Sequence, residues 1–262
     1  MEGSFRKPTP MGDYSVQEAR QCEHYDGMGE AYAAAYTDSW ASLYRDRFIH
    51  GPMFHGLDLN GLNVLEGMAG GGSASSYLIS QGARATGLDI SEVQLETYRQ
   101  KCPGSPTVRA SILDTGLENE SFDLVVAVGG LHHLHPAVDA AIDEIHRVLR
   151  PGGWFCFCDP HAASVLDLAR RAWYRYDPLF AEEEAAIDMT GIKGNHSHQF
   201  DFEVERYMGN IAYIAVLNSM VLRVPSWFKK LYAPIFMDAE ATLNRLLPAG
   251  LACYALARWR KK

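Results

Sequence analysis

Three successive glycines, Gly70, Gly71 and Gly72, follow the short apolar run "LNVLEG". In open parallel sheets, ligands bind beyond the carboxyl ends of the strands, where glycine lets a ligand approach the backbone closely. Helix capping or tight packing would account for one such glycine, whereas three in succession favour a ligand. The turn therefore predicts a binding site at the end of the first core strand.

Two carboxylates indicate which ligand this turn would bind. Glu66 lies directly before the turn, and Asp89 ends the next apolar run 89 − 66 = 23 positions later. A carboxylate at Glu66 would repel a pyrophosphate, but it would attract the ammonium and sulfonium of S-adenosylmethionine (SAM). Asp89 has the spacing of a ribose-binding carboxylate, a role that NAD and SAM sites share. Together the two acids favour SAM over NAD.

Three histidines are candidates for a general base. Methyl transfer from a sulfonium is an in-line displacement, and a histidine can remove the proton when the acceptor is a hydroxyl. His132 and His133 follow the apolar run "FDLVVAVGG", and His161 follows "WFCFCDP". We rank His133 first, His161 second and His132 third. For each one taken singly, packing or a backbone hydrogen bond is the more common role.

The elements that must position these residues alternate between strand and helix patterns. "LNVLEG", "ARATGLDIS", "TVRASIL", "FDLVVAVGG" and "WFCFCDP" are predicted strands, and helical segments separate most of them. This alternation predicts an α/β fold with a doubly wound parallel sheet. We expect an N-terminal helical cap over residues 1–60, a ligand-binding core over 61–160, and a helical lid over 161–199 whose last part is a Gly/His-containing loop to His198. The C-terminal part, 200–262, should contain helices and a closing strand.

Taken together, the motifs "VLEGMAGGG", "TGLDIS", "SFDLVVAVGGLHHL" and "IHRVLRPGG" resemble those of the class I SAM-dependent methyltransferases, over residues from about 25 to 159. The resemblance implies a Rossmann-like, seven-stranded, mostly parallel sheet and SAM as the cofactor. It implies that Glu66 and Gly70 flank the methionine moiety and that Asp89 holds the ribose. The further contacts that it implies are Gly67, Met68 and Ala69 in the turn, Ile90 on the adenine, Ser111 and Ile112 at the adenine edge, Val128, and a carboxylate-binding tyrosine that is Tyr32 or, alternatively, Tyr25.

Two residues depart from the family pattern. Met68 stands where the family usually has the first glycine of its motif, and Ser111 stands where an aspartate commonly meets the adenine amino group. Either the affinity for the cofactor is reduced or the backbone path differs. A nucleoside-binding protein that has lost catalysis is therefore one alternative. An NAD-dependent oxidoreductase is another, although Glu66 and Ser75 both count against it.

Charge and composition restrict the class of partner. The formal net charge is −8, and the only concentrated basic run is at the extreme C-terminus, which argues against nucleic acid. The N-terminus lacks the apolar core of a signal peptide, and no apolar stretch reaches membrane-spanning length, so we expect a cytoplasmic protein. The five scattered cysteines indicate reduced thiols rather than disulfides or a metal site. The expected activity is methylation of a small organic acceptor, with a slight preference for oxygen.

Two apolar segments could shape the acceptor site. The lid contains Trp173, Tyr174, Tyr176 and Phe180, which would form an aromatic wall or simply a helix core. The later stretch "VLRVPSWFKKLYAPIF" combines apolar residues with Trp227, Lys229 and Lys230, a pattern that suits a membrane-surface contact or a lipid-like substrate. The simpler interpretation is a buried helix pair or an oligomer interface, which would make the protein a homodimer.

Overall fold

Seven strands form one sheet in the computed structural model, which describes Cys22, residues 38–162, Ser164, Val165, Asp167, and residues 185–218 and 226–262. The strands are β1 Asn63–Gly67, β2 Arg84–Asp89, β3 Thr107–Arg109, β4 Phe122–Val128, β5 Leu149–Pro160, β6 Phe200–Met208 and β7 Tyr254–Lys261. Their order is β3-β2-β1-β4-β5-β7-β6. The first five strands are parallel, and β7 is antiparallel to both β5 and β6. The predicted seven-stranded, mostly parallel sheet is confirmed.

Helices cover both faces of this sheet. The helices are α1 Ser39–Arg45, α2 Gly51–Phe54, α3 Ser73–Ser80, α4 Glu92–Lys101, α5 Val138–Val148, α6 Met189–His196, α7 Ser226–Lys229 and α8 Ala233–Leu246. Single turns of π-helix span Asp46–His50 and Tyr213–Leu217, and 3₁₀ turns span Leu131–His133 and Ala249–Leu251.

The core has two layers because alternate strand residues face opposite sides. Leu65 and Val125 pack on the face that α5 and α6 cover, whereas Val64, Leu124 and Cys156 pack on the face that α1, α3 and α8 cover. Cys158 lies in the same cluster as Cys156, because residues two apart on a strand face the same side.

Local signals account for the element boundaries near the site. Ser91 caps α4, since its side chain accepts a hydrogen bond from the Gln94 N–H at 3.2 Å. The predicted third strand is too long, because β3 ends at Arg109. The chain turns at Ser111, whose Oγ accepts a hydrogen bond from the Leu113 N–H at 3.0 Å.

The region before β6 also differs from the prediction. The Gly/His-containing segment that ends at His198 was expected to be a loop, but it contains α6, which Asp188 caps at its start. His196 fixes the end of α6 through hydrogen bonds from its ring nitrogens to Gln199 and to Asp139 of α5. Much of the proposed N-terminal cap and most of the predicted lid, including its aromatic wall, lie outside the described residues. The division into those segments remains a prediction.

Candidate functional site

Glu66 ties the end of β1 to the helix that follows the glycine turn. Its side chain is buried, and its two oxygens accept hydrogen bonds from the backbone N–H groups of Ala74, at 3.1 Å, and Ser75, at 2.8 Å. These donors are at the start of α3, where helix N–H groups lack intrahelical partners. Burial raises the pKa of Glu66 above its ordinary value. The carboxylate therefore fixes the turn as well as supplying charge at the strand end.

Asp89 ties the same turn to β2. Its Oδ2 accepts a hydrogen bond from the Gly70 N–H at 2.8 Å, and its Oδ1 accepts one from the Ser91 N–H at 2.9 Å. Since β1 and β2 are parallel neighbours with Gly67 opposite Leu88, Glu66 and Asp89 lie at one edge of the sheet. The structure thus brings together the two carboxylates that the sequence singled out.

Gly72 shows why this turn needs glycine. Its φ is +71°, which L side chains rarely adopt, and a Cβ there would lie 2.6 Å from Cδ2 of Tyr98. Tyr98 is fully buried and donates a hydrogen bond from its hydroxyl to Ser75 Oγ at 2.8 Å. The Tyr98 ring therefore packs directly against Gly72, and its burial and its hydrogen bond hold it in this position.

Replacing Gly72 with alanine is expected to destabilise the protein by about 3 kcal/mol, which is the sum of left-handed strain and overpacking. Gly56 is the matched control, because its φ is +82° but nothing lies within 4 Å of an added Cβ. Gly56→Ala should cost only about 1 kcal/mol, for strain alone. Urea unfolding of the two variants measures the difference, and equal losses would show that Tyr98 does not restrict the turn.

Met68 adopts the backbone conformation that glycine favours. Its φ is +52°, one of two positive values among the described non-glycine residues. Its side chain covers Gly130 at the end of β4, where an added Cβ would lie 2.7 Å from Met68 Sδ. The backbone is therefore left-handed at Met68, although this residue stands where the family usually has glycine. This conformation lowers the stability of the folded protein by about 1 kcal/mol.

The residues expected at the adenine lie next to this turn. Ile112 is buried and would contact a Cβ added at Gly67, at 2.7 Å, so it lies directly against the end of β1. Ser111 is buried as well, and Val128 is the last residue of β4. Cys22 lies beside Ile90, with its Sγ 3.9 Å from the Ile90 carbonyl oxygen. No sequence signal pointed to Cys22, and the tyrosine candidates Tyr25 and Tyr32 lie outside the described residues.

The histidine loop after β4 lies against the end of β5. Asp159 Oδ1 accepts hydrogen bonds from His132 Nδ1, at 2.7 Å, and from the His132 backbone N–H, at 3.2 Å. The centroids of the His132 and His133 rings are 3.8 Å apart, and the ring planes are tilted by 38°. Burial raises the pKa of Asp159 to about 7, although the His133 charge and backbone N–H groups act in the opposite direction. The arrangement is a histidine oriented by a carboxylate, which suits a general base.

His161 has a different environment. It is buried, its Nε2 donates a hydrogen bond to the Ala252 carbonyl at 3.1 Å, and its ring lies edge-on to Tyr207 at 4.7 Å between centroids. Burial lowers its pKa. These contacts correspond to the structural role that was weighed for each histidine, and they separate His161 from the His132–His133 pair.

Comparison with known proteins decides the family. A methyltransferase-domain model matches residues 65–157. The chain is 32% identical over 205 residues to phthiotriol/phenolphthiotriol dimycocerosates methyltransferase of Mycobacterium tuberculosis, a match covering 76% of this chain and 70% of that one. The chain belongs to the class I SAM-dependent methyltransferases. The NAD-dependent alternative is therefore wrong, and SAM is the cofactor of this methyltransferase.

Solved structures support the fold of the methyltransferase. A SAM-dependent methyltransferase from Mesorhizobium loti superposes with a TM-score of 0.52 at 19% identity, over 78% of this chain and 93% of that one. The 4+2 cyclase SpnF superposes with a TM-score of 0.65 at 16% identity, over 95% and 97%. Because a cyclase shares the fold, the fold alone does not identify the acceptor, and the residues of the site have to indicate it.

The residues at the edge of the sheet fit SAM. Glu66 and Asp89 place negative charge beside the turn, and Gly70 has no side chain that would obstruct a ligand. In the part of the chain that the structure describes, no group of three or more His, Cys, Asp or Glu side chains could hold a metal ion. No helix in that same part is both long and apolar enough to cross a membrane.

Proposed function

We propose that the methyltransferase transfers the methyl group of SAM to a hydroxyl of an apolar, lipid-like acceptor, with His132 as the general base. The observation that carries the choice of base is the 2.7 Å hydrogen bond between His132 Nδ1 and the buried Asp159. Donation of the Nδ1 proton to the carboxylate fixes the tautomer in which Nε2 can accept a proton. His133 ranks first from the sequence, but this proposal takes His132 as the base because of its hydrogen bond to Asp159.

Each residue has a separate part in the proposed reaction. SAM supplies an electrophilic methyl group on a sulfonium. Glu66 would bind the methionine part of the cofactor, Asp89 its ribose, and Ile112 would pack beside the adenine. His132 would take the proton of the acceptor hydroxyl as its oxygen bonds to the methyl carbon and the methyl–sulfur bond breaks, which leaves S-adenosylhomocysteine. Asp159 holds the imidazole in one orientation and stabilises its protonated form. The alignment of acceptor and methyl group supplies much of the rate.

An exposed apolar segment supports a lipid-like acceptor. We call residues 227–235 the apolar segment: Trp227 and Ile235 are 68% exposed, and Leu231 is 60% exposed. The interpretation of this stretch as a buried helix pair does not account for these three exposed side chains. Lys229, in contrast, is buried and forms an ion pair with Asp38. This pair holds the segment against the start of α1 while its apolar side chains face outward.

The apolar segment also has a suitable position. β6 is parallel to β1–β5, so its carboxyl end lies at the edge of the sheet that carries the site, and the π-helical turn Tyr213–Leu217 follows it. Tyr232 donates a hydrogen bond from its hydroxyl to the Ala215 carbonyl at 2.7 Å, which joins the segment to that turn. The Mycobacterium relative, a dimycocerosates methyltransferase by name, is consistent with an acceptor of this kind.

Labelled methyl transfer from SAM to matched acceptors tests the proposal. The set is a long-chain diol, a short-chain diol with the same hydroxyls, and a long-chain amine. We expect an O-methyl product with the long-chain diol, a much higher KM with the short diol, and little product with the amine. Methylation of the amine alone would overturn the choice of oxygen, and equal KM values for the diols would overturn the choice of a lipid-like acceptor.

Replacing Trp227, Leu231 and Ile235 with serine is expected to raise the KM for the long-chain diol roughly tenfold or more, since each apolar side chain covered by the acceptor contributes about 1.5–3 kcal/mol. The kcat and the KM for the short diol should stay unchanged. Leu246→Ser is the control, because Leu246 is 73% exposed at the opposite end of α8. A change of oligomeric state with unaltered KM would identify the segment as a subunit interface instead.

A further inference from the structure

A cavity of about 490 Å³ lies at the carboxyl end of β6, away from the histidine loop. Three elements meet there: the end of β6, the π-helical turn Asp46–His50 and the last turns of α8. Each contributes an arginine to the lining, namely Arg206, Arg47 and Arg245. The cavity is two strand spacings from β5, or roughly 10 Å, and it shares no lining residue with the proposed catalytic site.

The charge of this cavity is positive. Arg47 forms an ion pair with Asp238 at 2.9 Å. No ion pair within the described residues joins Arg206 or Arg245 to a carboxylate. Glu205, the neighbour of Arg206 on β6, is occupied by Lys193 at 2.7 Å. Among the described residues, these two guanidinium charges therefore have no ion-pair partner at this concave surface, in a chain whose formal net charge is −8.

Asn244 supplies a donor at the same place. Its Oδ1 accepts hydrogen bonds from the Gly209 N–H, at 3.1 Å, and from Asn210 Nδ2, at 2.8 Å, which fixes the orientation of the amide. Its Nδ2 is buried and has no hydrogen-bond partner among the residues that the structure describes. A buried amide donor without an acceptor is costly, by about 1–3 kcal/mol, unless a ligand satisfies it.

A buried carboxylate on α8 does not neutralise the cavity. Glu240 accepts hydrogen bonds from the Tyr44 hydroxyl, at 2.8 Å, and from the N–H groups of Asn210, at 2.8 Å, and Ala212, at 2.9 Å. It is fully buried and does not line the cavity. Its charge is directed at these donors and not at the guanidinium groups.

We infer that this cavity binds the phosphoryl group of a small phosphorylated ligand, at a site separate from methyl transfer. Two unbalanced guanidinium groups match a dianion, and the planar fork of arginine suits phosphate oxygens. The Asn244 amide supplies a further donor to the same group. The volume exceeds that of phosphate alone, so the rest of a small molecule can be held beside Phe48 and Met208.

Inorganic phosphate is the first probe, in thermal unfolding of the full chain at constant ionic strength with chloride as the reference. Phosphate is expected to raise the Tm by about 2 °C or more over chloride. The double variant Arg206→Met, Arg245→Met should lose that rise. Arg260→Met is the matched control, since Arg260 is an exposed arginine on the neighbouring β7 and should leave the rise intact. A rise that survives the double variant, or that chloride reproduces, would overturn the inference.

Asn244→Asp provides an almost isosteric second test. The variant keeps the oxygen that accepts from Gly209 and Asn210, but it replaces the unpartnered NH₂ with a negative oxygen. Its Tm in phosphate is compared with its own Tm in chloride, and the phosphate-dependent rise should vanish. If the variant binds phosphate as the parent does, Asn244 does not contact the anion and the site is wrongly placed.

Two further binding experiments distinguish a small phosphorylated molecule from a lipid headgroup as the source of the phosphoryl group. Glycerol 3-phosphate should bind at least tenfold more tightly than inorganic phosphate if a small molecule occupies the cavity. Vesicles that contain phosphatidic acid, compared with neutral vesicles, report a lipid headgroup. Binding to those vesicles without binding of glycerol 3-phosphate would overturn the assignment to a small ligand. Methyl transfer plays no part in these measurements, so their failure is distinguishable from failure of the proposed function.

Discussion

Replacing Asp159 with asparagine is expected to lower kcat by a factor of about 10²–10⁴ without weakening the binding of SAM. The asparagine amide oxygen can take the place of Oδ1, which accepts both hydrogen bonds from His132. As a neutral group, however, it cannot stabilise the protonated ring. Calorimetric titration with SAM and initial rates with the long-chain diol separate the two effects.

The same substitution has an expected effect on stability that depends on pH. Burial raises the pKa of Asp159 from 3.8 to about 7, so between these values the folded protein holds a proton that the unfolded chain has released. The contribution of this group to the free energy of unfolding therefore falls as pH rises through that window. Asp159→Asn should remove this dependence and leave the protein at least as stable as the parent above neutral pH. Thermal unfolding across the window measures it.

The two histidines supply the controls. His132→Ala should lower kcat as much as Asp159→Asn, and the double variant should lose no more than either single one, because the residues act as a unit. His133→Ala should change kcat much less. A large loss with His133→Ala and none with His132→Ala would reverse the assignment of the base.

Replacing Glu66 with glutamine is expected to weaken SAM binding about 10- to 100-fold, the effect of removing a charge-assisted contact. The glutamine also places an NH₂ group against one of the N–H donors at Ala74 and Ser75, so a loss of stability of about 1–3 kcal/mol should accompany it. The titration must be run well below the Tm of the variant.

The affinity for adenosine shows whether Glu66→Gln removes recognition of the positive charges of SAM or damages the turn. Adenosine lacks the ammonium and sulfonium, so Glu66→Gln should leave its affinity unchanged. Asp89→Ala should weaken adenosine and SAM alike, because the ribose hydroxyls are common to both. Equal losses of adenosine and SAM affinity in Glu66→Gln would contradict the role of Glu66 as a partner of the positive charges.

The sheet and the cofactor turn could be predicted because their signals are local. Buried strands, glycines with positive φ and carboxylates at strand ends each leave a pattern within a few residues of the chain. α6 could not be predicted in this way, because Gly191 and Gly194 weaken the helical signal and the tertiary contacts of His196 compensate.

The ranking of the histidines as candidate bases shows a second limit of prediction from sequence. His132 and His133 are adjacent, and sequence alone cannot say which ring faces the neighbouring strand. Asp159 is 27 positions from His132, and it comes close only because β4 and β5 pair. An acidic residue at the end of the strand next to a histidine loop is the signal that could have identified it. The cavity lined by Arg47, Arg206 and Arg245 could not be predicted from a local sequence pattern, because its residues come from three distant segments.

The two outer strands of the sheet affect whether the protein aggregates at high concentration. An outer strand presents unpaired backbone groups, and long apolar outer strands promote aggregation between copies. β3 has only three residues, and β6 carries the exposed charges Asp201, Glu203 and Arg206. Both ends therefore hinder the joining of sheets from different molecules. We expect the protein to stay free of fibrillar aggregates at high concentration, and any specific pairing of copies to use side-chain surfaces instead.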